Sequence, residues 1–336
     1  MKSRGKVVVG MSGGVDSSVA AYLLKKQGFC VVGAHMNIWD SRVVGKPTCE
    51  SSIHDMNPVR VATVNTGEVL ATARALDIPC HIIDATAEFG TRVIARYNKE
   101  IAHGLIPNPC CFCNPEVKFK LLCDFADEIG ADFIATGHYS RVDAGRLKKA
   151  IDEQKDQSYF LCGLTQKQLS RVIFPLGELK KPEVRKIAKD AGLPCAEKKD
   201  SNDICFEIQK NTLTLGQRAG IGGQAQRMYV IGKDQDGKIR VGGPDSPELY
   251  SKSLIAKNFN WISSPPWVSC FGSLRSVTAK IRYRQADQAC SVEILNDDRV
   301  KVTFEKPQRA VTPGQWVVLY DGDKCLGGGE IVEAYA

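Results

Sequence analysis

The first half of the chain alternates continuous apolar runs with segments in which apolar residues recur every three or four positions. Continuous runs rich in β-branched residues predict buried strands, and the three-to-four spacing predicts amphipathic helices. The predicted strands are 7–10, 29–36, 78–84 and 131–139, and the predicted helices are 16–24, 61–76, 89–103 and 116–129. Strands that alternate with helices indicate an α/β fold with a doubly wound parallel sheet.

The pattern changes at about residue 145. Two short helical segments, 165–171 and 182–191, precede a stretch at 211–227 that is rich in Gly and Gln and predicts a flexible connector. From residue 228 onward, short strands separated by turns such as 236–237 and 321–322 indicate an all-β, barrel-like region. These predicted strands are 228–232, 239–242, 254–261, 277–283, 289–295, 300–304 and 315–320.

The loop after the first strand carries the first candidate chemistry. Ser12-Gly13-Gly14 has little side-chain bulk, and residues 16–18 stand where a helix begins. A strand, a glycine loop and a helix N-terminus form a cradle for phosphate, because backbone N–H groups and the helix dipole both favour an anion. The loop lacks the Gly-Lys-Ser/Thr ending of a Walker-type P-loop. An ordinary tight strand-to-helix turn is the alternative interpretation of the glycine pair alone.

The composition of the 336-residue chain, with 25% charged and 43% hydrophobic residues, is ordinary for a globular protein. No apolar stretch is long enough to span a membrane, and residues 1–6 lead directly into the first strand without room for a signal peptide. We therefore expect a cytoplasmic protein with no membrane partner. The formal net charge of +7 suits an RNA partner, although many proteins without one carry as much charge.

The chain contains 13 cysteines, which is many. Without an export signal, they are better interpreted as thiols, metal or cluster ligands, or redox groups than as a disulfide framework. Seven lie in apolar surroundings and are predicted to be buried and inert: Cys30, Cys80, Cys123, Cys162, Cys270, Cys290 and Cys325. Cys49 and Cys111 are assigned to neither group.

Three other cysteines, Cys110, Cys113 and Cys205, lie in stretches rich in Pro, Asn and Asp, where reactive thiols are common. The Asn-Pro pairs at 108–109 and 114–115 predict a rigid, extended loop around the first two. The second pair also predicts a helix start, whose dipole would lower the pKa of Cys113. The lysines at 198–199 predict a similar effect on Cys205. Burial as inert thiols is the alternative for all three.

These motifs carry two resemblances. The string Gly-Met-Ser-Gly-Gly-Val-Asp-Ser-Ser at 10–18 resembles the pyrophosphate loop of the N-type ATP pyrophosphatases, which split ATP into AMP and pyrophosphate. Over nearly the whole chain, the ordered motifs resemble those of the tRNA-specific 2-thiouridylases: 10–18, 36–40, 107–119, 135–139, 155–161, 174–177, 199–206, 216–218, 282–284, 310–315 and 325–329. The resemblance implies three domains, namely an ATP pyrophosphatase domain at 1–145, a central tRNA-binding region at 146–227 and a barrel-like β domain at 228–336.

The same resemblance implies which residues bind each substrate. ATP, with magnesium, is expected at Gly10, Met11, Ser12, Gly13, Gly14, Val15, Asp16, Ser17, Met36 and Gly137. Contacts with tRNA are expected at Asn108, Pro109, His138, Lys155, Asp156, Gln157, Arg282, Tyr283, Arg284 and Gln315. The wobble uridine is expected to enter a pocket near Asn108, which costs little because that base already lies in a single-stranded loop.

The chemistry implied by the resemblance is 2-thiolation of the wobble uridine. Oxygen 2 of the uracil is adenylated and pyrophosphate leaves. A persulfide on Cys205 then attacks carbon 2, and Cys113 helps to release the sulfur and ends in a disulfide with Cys205. The implied partners are tRNA and a sulfur donor, which is a desulfurase, a carrier protein or inorganic sulfide.

Two features depart from the family pattern. The family usually has an Asp after the Pro-Asn-Pro run, but Cys110 stands there and forms a Cys-x-x-Cys motif with Cys113. Three thiolates can hold an iron–sulfur cluster, so Cys110, Cys113 and Cys205 are either ligands of a cluster that delivers sulfur or thiols of the persulfide route. The segment between Cys205 and Gly216 is also shorter than in the family, which removes part of the expected grip on tRNA.

Two other functions stay open from the sequence. One is a different ATP pyrophosphatase, a ligase that acts on a small molecule, which would need neither the C-terminal β region nor three loop cysteines. The other is a non-catalytic RNA-binding or cluster-carrying protein with a relic ATP loop. The intact Ser12, Gly13, Gly14, Asp16 and Ser17 argue against the second.

Overall fold

The structure is a computed structural model, and it describes residues 4–38, 66–199, 205, 214–220, 226–233, 238–262, 277–296 and 298–336. The chain forms two compact units. Unit 1 is Met1–Ala95, Phe112–Ser158 and Gln166–Lys210, and unit 2 is Arg96–Cys111, Tyr159–Thr165 and Asn211–Ala336. Some sequence predictions fall outside the described residues: the motif residues 39–40, Cys49, Cys270, the segment 200–204, Phe206, the turn at 236–237, and parts of the helix at 61–76 and of the connector at 211–227.

Unit 1 is built on a parallel sheet. Its strands are β1 (Lys6–Gly10), β2 (Cys30–Asn37), β3 (Cys80–Asp84), β4 (Phe133–Thr136), β5 (Arg141–Asp143), β6 (Arg146–Lys148) and β7 (Val172–Ile173). Five of them form the sheet in the order β3-β2-β1-β4-β7 with parallel pairing throughout, and β5 and β6 pair as an antiparallel hairpin. The strand order reverses between β1 and β4, which confirms the doubly wound sheet. In such sheets ligands bind at this switch point, beyond the carboxyl ends of the strands.

Helices cover the sheet of unit 1. The helices of the chain are α1 (Val15–Lys26), α2 (Thr66–Ala75), α3 (Thr86–Glu88), α4 (Ala95–Ala102), α5 (Pro109–Cys113), α6 (Phe119–Glu128), α7 (Gln166–Leu169) and α8 (Lys181–Asp190), with π-helical turns at Phe89–Ile94 and Asn114–Lys118 and 3₁₀ turns at Ser158–Leu161 and Pro247–Leu249. Val7, Val8 and Val9 of β1 have no solvent exposure. Successive strand residues point to opposite faces, so both faces of the sheet are covered at β1.

The stretch around Cys110 and Cys113 is helical, so the predicted extended loop is wrong. Helix α5 begins at Pro109, and the N–H of Cys111 donates to the carbonyl of Asn108 at 3.2 Å. The first Asn-Pro pair is therefore the helix start, because Pro fits the first helical position. The second pair lies further along, where Pro115 has no N–H to donate and the backbone widens into a π-helical turn. The predicted helix start at 114–115 is thus wrong, because the helical backbone already begins at Pro109.

Unit 2 is a closed six-stranded antiparallel barrel with a separate hairpin. Its strands are β8 (Tyr229–Lys233), β9 (Ile239–Gly242), β10 (Tyr250–Trp261), β11 (Val277–Lys280), β12 (Gln288–Ile294), β13 (Val300–Arg309), β14 (Trp316–Asp321) and β15 (Lys324–Tyr335). The barrel runs β10-β13-β12-β11-β14-β15 and closes where β15 pairs with β10, while β8 pairs with β9. Leu254, Val302 and Val317 fill its interior without solvent exposure. The predicted barrel-like region is confirmed.

Strands β10 and β13 are longer than predicted, since β10 begins at Tyr250 instead of 254 and β13 ends at Arg309 instead of 304. Two further strands of the barrel, β11 and β15, also differ from their predictions. Strand β15 was not predicted, because the glycines at 327–329 interrupt the apolar alternation. Glycine is needed there, since a Cβ on Gly327 would lie 2.0 Å from the carbonyl oxygen of Asn260 on the neighbouring strand. The strand predicted at 277–283 ends at Lys280, and the next residues form a turn that carries Arg282 and Tyr283.

Of the helices in the described residues, none combines the length and the apolar character that crossing a bilayer requires. The division of the chain at residues 145 and 227 stays a prediction.

Candidate nucleotide and thiol site

The loop between β1 and α1 is tied to the first turn of the helix by serine hydroxyls. The Oγ of Ser17 accepts the N–H of Ser12 at 3.1 Å and lies 3.2 Å from the Oγ of Ser12. Ser18 donates to the carbonyl of Gly14 at 2.8 Å. Gly14 occupies the cap position of α1 and has no side chain, so the first-turn N–H groups point at the loop and can receive an anion.

Other residues of the loop act through their backbone. Gly13 has a φ of +75°, a conformation that favours glycine, and a Cβ there would lie 3.1 Å from Cγ2 of Val69. The side chains of Met11 and Val15 are buried in the core of unit 1. Gly10 ends β1, where a Cβ would lie 3.2 Å from Leu122. Every predicted ATP residue between 10 and 17 therefore belongs to one compact strand–loop–helix element.

Asp16 forms an ion pair with Lys181, a lysine that was not predicted from the sequence. The Nζ of Lys181 donates to Oδ1 of Asp16 at 2.6 Å and to Oδ2 at 2.8 Å, and the hydroxyl of Tyr139 donates to Oδ1 at 2.9 Å. The residue Lys181 is only 8% exposed, and its N–H donates to a carboxylate oxygen of Asp152 at 2.8 Å. An ammonium is thereby fixed beside the start of α1, where phosphate would bind. Only its position before Pro182, at a helix start, marked this lysine in the sequence.

The turn after β4 touches the same element. A Cβ on Gly137 would lie 2.5 Å from the backbone nitrogen of Ser17 and 2.6 Å from the carbonyl carbon of Asp16. Only glycine fits such an approach, so Gly137 brings the end of β4 against α1. Met36 is partly exposed near the carboxyl end of β2, opposite Ile83 of β3. The structure thus brings Gly137 to the loop and places Met36 at the same edge of the sheet.

Lys198 is a further cation at the loop. Its Nζ donates to the carbonyl of Gly13 at 3.2 Å and forms an ion pair with Glu68 of α2. The sequence predicted that Lys198 and Lys199 would act on Cys205. The cation that acts on the thiol of Cys205 is instead Lys118, whose ammonium lowers its pKa. Desolvation of the thiol by surrounding protein atoms is the larger effect, and it raises the pKa of Cys205 above its ordinary value although the residue as a whole is exposed.

Lys118 also acts on His138, so the two groups share one cation. Burial of the imidazole, followed by the charge of Lys118, holds the pKa of His138 well below its ordinary value. The Nδ1 of His138 lies 2.7 Å from Oγ1 of Thr136, and its ring packs against Phe119 and Phe174 with centroids 5.8 Å and 6.4 Å away. The imidazole is therefore neutral near pH 7 and held in place. In unit 1, the charge of Lys118 therefore acts on both His138 and Cys205.

The remaining cysteines divide by burial. Cys123, Cys162, Cys290 and Cys325 are buried as predicted, Cys80 is partly exposed, and Cys30 is exposed, so the prediction of burial is wrong for Cys30. Burial and a hydrogen bond with Cys162 hold the pKa of Cys111 well above its ordinary value, which makes Cys111 an inert core thiol. Cys110 and Cys113 are both partly exposed, as sites for chemistry require.

The predicted ligands of an iron–sulfur cluster are Cys110, Cys113 and Cys205. Among the described residues, which include Cys110, Cys113 and Cys205, no three His, Cys, Asp or Glu side chains are placed to hold a metal. No reaction step is therefore derived through a cluster. The cluster stays a prediction of the Cys-x-x-Cys pattern.

The predicted RNA contacts at 155–157 of unit 1 lie in a loop that is held by hydrogen bonds. The carboxylate of Asp156 accepts the N–H of Ala150 at 3.0 Å and the hydroxyl of Ser158 at 2.9 Å. The Oε1 of Gln157 accepts the N–H of Tyr139 at 3.0 Å. Asp156 and Gln157 thus hold the loop that presents the partly exposed Lys155. A contact between Lys155 and RNA stays a prediction.

The predicted RNA contacts in unit 2 lie at turns around the barrel. The Nε2 of Gln315 donates to the carbonyl of Ile106 at 2.7 Å. This hydrogen bond holds the segment that precedes Asn108 and Pro109. Arg282, Tyr283 and Arg284 form the turn after β11. Arg282 donates to the carbonyl of Ala310 at 3.1 Å, and the rings of Tyr283 and Phe160 have centroids 4.4 Å apart.

A parallel sheet with a glycine–serine loop at its switch point, followed by a six-stranded barrel, defines a nucleotide-binding α/β protein with an appended barrel. Residues 5–209 match the family described as tRNA methyl transferase HUP domain, and residues 251–331 match the aminomethyltransferase beta-barrel domain. The chain belongs to the tRNA-specific 2-thiouridylase (MnmA) family, which is a family of enzymes.

Curated relatives match along almost their whole length. The tRNA-specific 2-thiouridylase MnmA of Lysinibacillus sphaericus is 40% identical over 370 residues, with 98% of this chain and 95% of the relative covered. That of Lacticaseibacillus paracasei is 40% identical over 374 residues with the same coverage. Each alignment is longer than the 336-residue chain, so these relatives contain residues that this chain lacks.

Solved structures match less closely. The NMN synthetase of Francisella tularensis aligns with a TM-score of 0.36 at 17% identity, covering 60% of this chain and 67% of that chain. A 4-thiouridine synthetase in complex with RNA and ATP aligns with a TM-score of 0.32 at 21% identity, covering 56% of this chain and 41% of that chain. Neither alignment supports a statement about function.

Proposed function

We propose that this protein is an ATP-dependent tRNA 2-thiouridylase, which replaces oxygen 2 of the wobble uridine of tRNA with sulfur. One observation carries the proposal: unit 1 combines a phosphate-binding loop, in which Lys181 is held by Asp16, with the thiol of Cys205 beside Lys118. Membership of the 2-thiouridylase family supports the same substrate and reaction. The expected loop residues for ATP all lie in the described part of unit 1.

The first step is adenylation. MgATP enters as a substrate with its phosphates on the first-turn N–H groups of α1 and on the loop between Gly10 and Val15. Oxygen 2 of the uracil attacks the α-phosphorus of ATP, the bond to the β-phosphate oxygen breaks, and pyrophosphate leaves. Negative charge moves onto the leaving pyrophosphate, so a fixed ammonium beside the loop stabilises that charge more than it stabilises the ground state. Lys181 supplies this ammonium.

Asp16 positions Lys181. Two oxygens of the carboxylate share the ammonium, and the hydroxyl of Tyr139 fixes one of them. An unpaired ammonium this deeply buried would destabilise the fold, because an isolated buried charge is costly. The pair therefore holds the ammonium of Lys181 in position before ATP arrives.

The second step transfers sulfur. A donor loads Cys205 as a persulfide, and the terminal sulfur attacks carbon 2 of the adenylated uracil. The carbon–oxygen bond to AMP breaks, and AMP leaves with the original oxygen. The thiolate of Cys113 then attacks the Sγ of Cys205, so the sulfur stays on carbon 2 as 2-thiouridine and the two cysteines form a disulfide. An external dithiol reduces that disulfide and completes the cycle.

Lys118 and His138 serve the second step in this proposal. Persulfide loading and disulfide formation both need thiolates. Lys118 stabilises the thiolate of Cys205 and so opposes the desolvation that raises its pKa. The neutral His138 can donate or accept a hydrogen bond at the uracil without adding a charge. Cys110 occupies the position where the family usually has an Asp, so acid–base assistance by a carboxylate is not available from that residue.

The test is thiolation of unmodified tRNA, measured as 2-thiouridine by mass spectrometry after nuclease digestion, with a persulfide donor and with inorganic sulfide. We expect Cys205→Ala and Cys113→Ala each to lose thiolation while tRNA binding stays within about twofold of the wild type. The matched control is Cys30→Ala, which removes another exposed thiol of unit 1 and should keep full activity.

Three results would contradict parts of the proposal. Full thiolation by Cys205→Ala or Cys113→Ala would remove those residues from the mechanism. Pyrophosphate release that needs a small molecule but no tRNA would indicate a ligase instead. Iron and sulfide bound to anaerobically purified protein, and lost in Cys110→Ala, would replace the persulfide route with delivery from a cluster.

A further inference from the structure

Unit 2 contains a buried carboxylate on the outer face of its barrel. Ile331 of β15 belongs to the barrel interior, so the neighbouring Glu330 points outward, yet it is only 3% exposed. Its Oε2 accepts Nη2 of Arg96 in α4 at 3.3 Å, and its Oε1 lies 3.7 Å from Nζ of Lys257 in β10. The Nε of Arg96 also donates to Oε1 of Glu100, one turn further along α4, at 2.7 Å. Two cations and two carboxylates therefore join a helix of unit 2 to the barrel wall.

A buried ion pair of this kind specifies position more than it adds stability. Burial raises the pKa of Glu330 and the charge of Glu100 raises it further, whereas Lys257 and Arg96 lower it. Loss of hydration offsets much of the attraction in a buried pair, and apolar side chains of similar volume often give equal stability. A hydrogen-bonded charge pair differs from an apolar contact in being directional, because Nη2 of Arg96 must meet Oε2 of Glu330. The pair therefore fixes where α4 lies on the barrel.

The segment after α4 is held on the barrel at a second point. The carbonyl of Ile106 accepts Nε2 of Gln315 at 2.7 Å, and the N–H of Ile106 donates to the carbonyl of Pro313 at 3.1 Å. The N–H of Ile331, which follows Glu330, donates to the carbonyl of Gln315 at 2.8 Å, so both points lie on the same part of the barrel. Helix α5 begins three residues after Ile106. The start of α5 therefore follows a segment that the barrel holds at two points.

We propose that Glu330 is a positioning residue for sulfur transfer, which acts by holding α4 through Arg96. The fixed α4 sets the start of α5, and α5 carries the thiols of Cys110 and Cys113. This inference rests on the proposed function, in which Cys113 attacks the Sγ of Cys205. That attack requires the two sulfurs to be in contact and aligned, and a displacement of about 1 Å costs about 10²-fold in rate. Neither Glu330 nor Arg96 was recognised from the sequence, because 234 positions separate them.

The test compares the two cations that pair with the same carboxylate, in the full chain. Arg96→Met and Lys257→Met each remove one cation from Glu330, but only Arg96 belongs to α4. We expect Arg96→Met and Glu330→Gln to lower kcat for 2-thiouridine formation about tenfold, with KM for tRNA within about twofold of the wild type. The rate of alkylation of the partly exposed Cys110, located by peptide fragmentation in mass spectrometry, should rise severalfold in both, because the start of α5 is held less firmly. Lys257→Met is the matched control and should leave both quantities unchanged.

Two outcomes overturn the proposal. If Lys257→Met changes kcat and Cys110 alkylation as much as Arg96→Met does, the carboxylate only stabilises the barrel. If neither quantity changes in Arg96→Met, the position of α5 does not depend on the pair. Chemical denaturation of the same variants separates loss of folded protein from loss of position, and Arg96→Met, at a partly exposed residue, keeps the test decisive if Glu330→Gln does not fold. Alkylation of Cys110 needs no turnover, so a wild-type protein that forms no 2-thiouridine would contradict the proposed function while alkylation still tests the hold on α5.

Discussion

The two cationic sites of the molecule are built in opposite ways. In unit 1 the buried ammonium of Lys181 is held by both oxygens of Asp16, at 2.6 Å and 2.8 Å. In unit 2 the guanidiniums of Arg282 and Arg309 meet carbonyl oxygens, a hydroxyl and a ring, and no carboxylate within the described residues. The first site thus contains its own anion, and the second is held by neutral groups alone among the described residues.

The difference follows from burial. A buried cation without a partner costs several kcal/mol, so Lys181 needs Asp16 even when no nucleotide is bound. The residues Arg282 and Arg309 are exposed, so water screens their charges and a carboxylate partner is not needed. A buried cation therefore needs a fixed carboxylate beside it, whereas an exposed cation does not.

The largest expected effect comes from removing the carboxylate of Asp16 that pairs with Lys181. Asp16→Ala leaves Lys181 without its carboxylate, so we expect pyrophosphate release to fall by about 10²–10³-fold, the usual range for loss of one fixed electrostatic contact. The free energy of unfolding should fall by about 2 kcal/mol, below the value for a fully buried pair because Asp16 is partly exposed.

The matched variant for this test is Lys181→Met, which removes the buried charge and keeps much of its volume. It should lose pyrophosphate release as strongly as Asp16→Ala does, while losing less stability, because no buried cation remains unpaired. Unchanged pyrophosphate release in Lys181→Met would remove this lysine from the mechanism.

The next effect tests the close approach of β4 to the loop. In Gly137→Ala a methyl group would meet the backbone of Ser17 at 2.5 Å, so α1 must shift and carry the first-turn N–H groups with it. We expect the affinity for ATP to fall about tenfold or more and the free energy of unfolding to fall by about 1–3 kcal/mol. Isothermal titration calorimetry and chemical denaturation measure the two.

Gly90→Ala is the control for this substitution, because a Cβ at Gly90 meets nothing within 4 Å. It should leave ATP affinity unchanged. Equal ATP affinity in Gly137→Ala and Gly90→Ala would contradict the close contact between Gly137 and α1.

The smallest effect concerns Lys118. Lys118→Met removes the cation that stabilises the thiolate of Cys205, so the pKa of Cys205 should rise further above its ordinary value. The rate of alkylation of Cys205 against pH should therefore move to higher pH, with a severalfold slower reaction near pH 7. The pKa of His138 should rise in the same variant, because Lys118 lowers it in the wild type.

Lys120→Met is the control, because Lys120 is exposed and pairs with Asp124. It should leave both titrations in place, measured by mass spectrometry of the alkylated peptide and by NMR of the imidazole. A pH profile of Cys205 that does not move in Lys118→Met would refute the link between this cation and the thiol.

The sequence predicted the structural features that depend on residues adjacent in the chain. The strand at 7–10, the loop and the start of α1 are adjacent in the chain, so their composition indicated a phosphate cradle directly. Alternating turns and short strands indicated the barrel for the same reason. Motifs spread over the chain indicated the family, to which similarity to the curated relatives assigns the chain.

What escaped prediction depends on contacts between distant residues or on competing local signals. The contact between Lys181 and Asp16 spans 165 positions, and no local pattern marks it. The hydrogen bond from Arg282 to the carbonyl of Ala310 spans 28 positions, from the turn after β11 to the end of β13. Two Asn-Pro pairs competed for one helix start, and local rules could not show that the pair at 108–109 begins the helix. The glycines of β15 interrupt the apolar alternation that would mark a strand, and in the structure they permit close strand contact at Asn260.

The most direct test of the central claim measures pyrophosphate and 2-thiouridine in the same reaction, with unmodified tRNA, MgATP and a persulfide donor. The account predicts pyrophosphate release that depends on tRNA and equals the 2-thiouridine formed, with both products lost in Asp16→Ala. Release at the same rate without tRNA, or 2-thiouridine formed without pyrophosphate, would contradict it.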